Sequence, residues 1–96
     1  MPTYELAFLP SALKEWKKLG ATTREQLKKK LEERLDKPDV PASALRGLPG
    51  HYKIKLRASG FRLVYRIEKG ALVVSVVSVG KRDRGEVYIK TKARRG

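Results

Sequence analysis

Lys53 and Lys55 stand two apart in "HYKIKL" (51–56). On a strand that spacing projects both ammonium groups from one face. Arg62, in the next alternating segment, reaches the same face if the hairpin register places it opposite. Further on, "VGKRDRGEVY" supplies Lys81 and Arg82, followed by Tyr88. Cations hold phosphates and an aromatic ring stacks on a base, so the set suits single-stranded RNA. The plainer alternative is a solvated basic face, with Tyr88 in a core. Pattern alone prefers nucleic-acid contact to that alternative and leaves catalysis as the minority reading.

Other chemistries lack their residues. The sequence has no cysteine and one histidine, His51, which excludes thiolate and histidine-cluster metal sites. His51 follows Gly50 directly and reads as an exposed turn residue rather than a catalytic base. No acid lies between residues 40 and 67, and Glu68, Asp83 and Glu86 are scattered, so paired-carboxylate catalysis is unsupported. No glycine-rich loop feeds a helix, which removes that form of nucleotide binding. No cofactor is expected.

The charge balance agrees with a polyanionic partner. Lys and Arg number 23 against 10 acids, net +13. Residues 1–48 hold 10 basic and 7 acidic residues, whereas residues 49–96 hold 13 and 3. A chain repelling itself this strongly gains from binding an anion, nucleic acid first. A membrane surface is the weaker candidate, because no basic amphipathic helix dominates the basic half. "MPTYELAFLP" lacks the charged start and apolar run of a signal peptide, and "ALVVSVVSVG" is too short to cross a bilayer. A single domain over residues 1–96 in a reduced, cytoplasmic setting is the simplest expectation.

The elements that must position these residues follow from periodicity. "TYELAFL" (3–9) alternates and predicts a strand. Pro10 and Ser11 open a helix with Leu13, Trp16 and Leu19 at helical spacing, and Gly20 follows its end. A second helix is predicted to start at Thr22 or Thr23, since Thr22-x-x-Glu25 and Thr23-x-x-Gln26 both fit a capping box. Leu27, Leu31 and Leu35 form its stripe. "PDVPASALRGLPG" (38–50) is irregular, with Leu45 and Leu48 tucked in and Arg46 between them. Three strands then follow: "HYKIKL", "FRLVYRIE" and "ALVVSVVSV", the last apolar on both faces and therefore central. The tail is basic, and its Gly80, Gly85 and Gly96 predict only a short helix or none. The fold class is α+β: a β-α-α-β-β-β antiparallel sheet with an N-terminal helical hairpin on one face and a short C-terminal tail or helix.

The segments "LKEWKKLG", "REQLKKKL", "LRGLPG-YKIKLR-SG-RLVY" and "VVSVGKR-R-EVY" resemble the RelE toxins of bacterial and archaeal type II toxin–antitoxin pairs, from about Leu13 to Tyr88. The resemblance implies a microbial-RNase-like fold. It implies a ribosome-dependent endoribonuclease that cleaves messenger RNA in the A site and so inhibits translation. It also implies a RelB-type antitoxin that wraps the toxin, with any DNA contact made only through that complex. Carried over residue by residue, the catalytic set is Lys53, Lys55, Arg62, Arg82 and Tyr88. Arg46 matches a basic position near the substrate path, and Arg57, Lys81 and Arg84 are flanking RNA contacts. In the family a C-terminal helix follows the tyrosine.

Such a site needs no metal, because RNA carries its own nucleophile, the 2′-hydroxyl beside the scissile phosphate. Lysine is a poor base at its ordinary pKa of about 10.4. Crowding by like charge depresses that value, so Lys55 is the expected base and Lys53 steadies the developing charge. Arg62 and Arg82 clamp phosphate oxygens, and Arg82 acts as acid or as electrostatic stabiliser. Tyr88 stacks on a base. Lys28, Lys29 and Lys30 either grip ribosomal RNA or form a solvated helix face. Two rivals stand: a ParE-like toxin of the same fold that poisons gyrase, and a non-catalytic RNA-binding module.

Overall fold

The computed structural model describes residues 4–68, 70–81 and 86–94. In chain order these form β1 (Glu5–Phe8), α1 (Pro10–Lys17), α2 (Ala21–Arg34), β2 (His51–Leu56), β3 (Phe61–Glu68), β4 (Val73–Lys81) and α3 (Glu86–Arg94). A 3-10 turn at Pro41–Ser43 sits in the irregular connection before β2. There Leu48 is buried, Leu45 half-buried and Arg46 exposed, as the residue types predict.

Alternation makes β2 and β3 two-faced. Their register sets Tyr52 opposite Tyr65, Ile54 opposite Leu63 and Leu56 opposite Phe61. These side chains, with Val74, Val76 and Val79 of β4, meet Ala12 of α1 and Leu27 and Leu31 of α2 in one core. Phe8 and Trp16 pack against it, ring centroids 5.2 Å apart. Leu13 does not join the stripe expected for α1; it is exposed, and Ala12 takes the buried position.

The strand order is β1-β4-β3-β2. Across β2, β3 and β4 the sheet is antiparallel as expected, but β1 runs parallel to β4, with Glu5 opposite Val73 and Phe8 opposite Val76. The helices explain the difference. The Tyr4 N–H donates to Leu35 O at 3.1 Å, so α2 returns the chain to the level at which β1 began. From that level β2 runs the same way as β1, and two hairpin reversals later so does β4.

α2 begins at Ala21, not at Thr22 or Thr23, and no side chain caps it. Gly20 takes extended backbone at the N-cap, so α2 starts after a three-residue link (18–20) from α1 and the threonines fall inside its first turn. The tail is a helix, α3. The three glycines that argued against one, Gly80, Gly85 and Gly96, all lie outside Glu86–Arg94, so none interrupts it. Val87 and Thr91 of α3 are buried on β4, and Ser78 Oγ lies 2.6 Å from Thr91 Oγ1. β4 is thus covered on both faces, which is why its sequence carries no charge from Val73 to Gly80. Gly80 lets the helix approach: a Cβ there would lie 3.1 Å from Lys90 Nζ and 3.2 Å from Val87 Cγ2.

Candidate active site

The face of the sheet opposite the main core carries the basic residues. A four-residue turn joins β2 to β3; its Gly60 takes φ +74° and donates its N–H to Leu56 O at 2.9 Å. That left-handed conformation favours glycine. The turn sets the register, and the register places Lys55 opposite Arg62. Directly paired residues share a face, with Cβ atoms about 5 Å apart. Lys53, two residues back, shares it too. Lys55, Leu56, Arg57, Gly60 and Arg62 line a cleft of about 330 Å³.

Electrostatics in this cleft bear on Lys55. Its pKa is lowered from the ordinary lysine value, first by the positive charge of Lys53, then by Arg62, then by slight desolvation, with Arg57 adding less. Like charge disfavours the ammonium form, so Lys55 gives up its proton more readily than a free lysine. Lys53 is half-buried, and its carbonyl accepts a long hydrogen bond of 3.5 Å from Arg34 on α2. The same arginine donates to Tyr65 Oη at 2.9 Å and Ser43 Oγ at 3.1 Å. The strand bearing the lysine pair is therefore tied from below to α2.

Tyr88 enters from α3. Its hydroxyl accepts a 2.6 Å hydrogen bond from Arg62 Nη1, and the guanidinium carbon lies 5.6 Å from its ring centroid. On its other side Tyr88 joins Arg46, Leu45, Leu48 and Lys92 around a groove of about 270 Å³. Lys53, Lys55, Arg62 and Tyr88 are thus brought together, with Arg57 and Arg46 at the two ends. Lys92 extends the set and was not singled out from the sequence. It stands four residues after Tyr88, the spacing of helix neighbours, and becomes visible only once the tail is known to be a helix.

One expected contact falls elsewhere. Lys81 pairs with Phe61, so it points to the face away from Lys55, with its ammonium 5.7 Å from the Phe61 ring centroid. An odd offset along the strand, or a pairing with an inward residue, sends it there. Arg82 and Arg84 lie outside the described residues. His51 is not an exposed turn residue. It is the buried first residue of β2, its Nδ1 2.9 Å from Pro49 O, because its pairing with Arg66 draws it into the sheet.

Residues 6–85 match the family model described as ParE toxin of type II toxin-antitoxin system, parDE. The "mRNA interferase toxin RelE" of Escherichia coli K12 is 61% identical over 85 residues, which cover 88% of this chain and 90% of that protein. The chain belongs to the RelE/ParE toxin family. A RelE-like toxin protein of E. coli is 51% identical over 85 residues, covering 88% of this chain and 90% of that protein. The free-state structure of an E. coli RelE variant superposes with a TM-score of 0.90 at 55% identity, covering 98% of both chains. RelE in the intact E. coli RelBE toxin–antitoxin complex matches with a TM-score of 0.82 at 59% identity, over 84% of this chain and 99% of that one. Among the described residues no helix is long and apolar enough to cross a membrane.

Proposed function

We propose that this chain is the toxin of a type II toxin–antitoxin pair, an mRNA interferase. It cuts messenger RNA in the ribosomal A site without a metal ion and thereby stops translation. A RelB-type antitoxin wraps and inhibits it, in the cytoplasm. The single observation that carries the reading is the convergence of Lys53, Lys55, Arg62 and Tyr88 on one face, from two strands and the C-terminal helix. The full chain acts as a single toxin domain.

The chemistry follows from the groups present. Lys55, its pKa lowered by Lys53 and Arg62, takes the proton of the 2′-hydroxyl. The resulting oxyanion attacks the adjacent phosphorus, the bond to the 5′-oxygen breaks, and that oxygen takes up a proton from solvent. The products are a 2′,3′-cyclic phosphate and a 5′-hydroxyl. Lys53 and Arg62 stabilise charge on the phosphoryl oxygens. The family resemblance assigns Arg82 to the leaving oxygen. An arginine keeps its proton above pH 12, so electrostatic stabilisation is its better-suited role. Tyr88, steadied by Arg62, stacks on a base and holds the strand splayed. Among the described residues the site has no matched acid–base pair, so positioning by the ribosome supplies much of the rate.

The test is messenger-end mapping with and without ribosomes. Cuts within A-site codons that appear only with ribosomes, and vanish with Lys55→Ala, support the reading. Intact messenger together with stalled gyrase would establish the ParE-like alternative, which the name of the matched family model keeps in view. Unchanged cleavage in both Lys55→Ala and Arg82→Ala, with weaker binding at high salt, would reduce the basic face to a grip.

A further inference from the structure

β1 reaches along β4 only as far as Val76. Beyond that point side chains, not a strand, take the outer backbone groups of β4. The Val79 N–H donates to Glu15 Oε1 at 3.1 Å, Val79 O accepts from Lys90 Nζ at 3.1 Å, and Val77 O accepts from Arg94 Nη1 at 3.0 Å. Both basic side chains also bind the Glu15 carboxylate. Lys90 Nζ lies 2.5 Å from Glu15 Oε2, while Arg94 Nη1 and Nη2 reach the two carboxylate oxygens at 2.9 and 3.2 Å. Burial by itself would raise the Glu15 carboxyl, but the hydrogen bonds from Arg94, Lys90 and Val79 outweigh it and hold the group below the usual carboxylate range.

Lys90 and Arg94 are four apart and so share one flank of α3. Tyr88 is two residues before Lys90, about 200° round the helix, and so leaves from the opposite flank. A further attachment, Val87 and Thr91 on Ser78, runs along the midline. A midline contact sets the height of a helix but leaves its roll free. At nine residues α3 is also too short to hold its own shape in water.

We propose that Glu15, on α1, is a positioning residue for the RNA-cleaving site: by gripping Lys90 and Arg94 it fixes the roll of α3 and so holds Tyr88 against Arg62. The proposal rests on the reading of Tyr88 as an RNA contact. It assigns a role in cleavage to a carboxylate on the far side of the helix, which touches no substrate.

A double-mutant cycle tests it, with Glu15→Gln and Tyr88→Ala alone and combined. Cleavage of ribosome-bound messenger is measured as kcat and KM below the melting temperature of every variant. Glu15→Gln keeps the shape and loses the charge. In the parent it lowers kcat/KM about tenfold, short of the hundredfold that a 1 Å misplacement can cost. In the Tyr88→Ala background it has no further effect. An equal loss in both backgrounds, or no loss in the parent, overturns the proposal while leaving the role of Tyr88 intact. If Tyr88→Ala alone cleaves normally, the reading of Tyr88 fails and the positioning role falls with it. Should Glu15→Gln not fold, Lys90→Met leaves Glu15 bound to Arg94 and runs the same cycle. A smaller loss, again absent with Tyr88→Ala, is expected, and an additive one refutes.

Discussion

Replacing Gly80 by alanine probes the seating of α3 with the smallest possible change. The added methyl would sit 3.1 Å from Lys90 Nζ and 3.2 Å from Val87 Cγ2, inside ordinary carbon contact distance of about 3.5–4 Å. Lys90 is held by Glu15, and Val87 is β-branched, fully buried and locked in a helix, so neither swings clear cheaply. The helix must lift by a few tenths of an ångström. Overpacking of this kind costs about 1–3 kcal/mol. Alanine returns about 0.5–1 kcal/mol by removing the freedom of glycine in the unfolded chain. The net loss is between zero and about 2.5 kcal/mol, and at about 4–8 °C per kcal/mol for a domain of this size the melting temperature falls by up to about 20 °C. Cleavage should fall as well, because the 2.6 Å bond from Arg62 to Tyr88 has little slack. Scanning calorimetry gives the first quantity and messenger cleavage the second. Adding Val87→Ala removes the 3.2 Å contact and should restore part of the lost activity. A Gly80→Ala protein as stable and as active as the parent would refute the close seating of α3 and the dependence of Tyr88 on it.

Lys53→Met removes the largest like-charge influence on Lys55. The Lys55 pKa then returns upward, so the rise of cleavage rate with pH moves to higher pH and the rate at neutral pH drops; an unmoved pH–rate profile would exclude Lys55 as the base. Tyr65→Phe strips a buried hydroxyl that donates to Pro38 O at 2.6 Å and accepts from Arg34 at 2.9 Å. It should cost about 1–3 kcal/mol in urea unfolding. Burial raises the Tyr65 pKa despite Arg34. The parent's stability from this group is therefore full below about pH 10 and lost as pH rises through the raised folded value, and the Phe variant should lack that alkaline decline. Leu72 holds φ +54° and is 46% exposed, so Leu72→Asn, which tolerates that backbone, should raise the urea midpoint by about 0.5 kcal/mol equivalent. A lowered midpoint would show that the Leu72 side chain outweighs the strain.

The sequence by itself determined the elements and the sidedness of the hairpin. Alternation in "HYKIKL" and "FRLVYR" separates Ile54, Leu63 and Tyr65 from Lys53, Lys55 and Arg62, because a strand has a period of two and water sorts its faces. It also marked β4 as central, since a strand covered twice has no polar face to show. Its local signals misplaced what long-range packing controls. His51 beside a glycine looked like a turn, yet cross-strand pairing with Arg66 buries it. Thr22 and Thr23 looked like caps, yet the chain turns at Gly20. Lys81 looked like part of the basic face, yet its pairing with Phe61 turns it away.

Only the tertiary structure decided whether Tyr88 meets Arg62, 26 residues away, because no local pattern states where a nine-residue helix will dock. That docking depends on a missing side chain at Gly80, a hydroxyl pair at Ser78 and Thr91, and one carboxylate, Glu15, from the other end of the chain. None of these three has a periodicity or a motif. Their meaning is set by what the fold brings beside them.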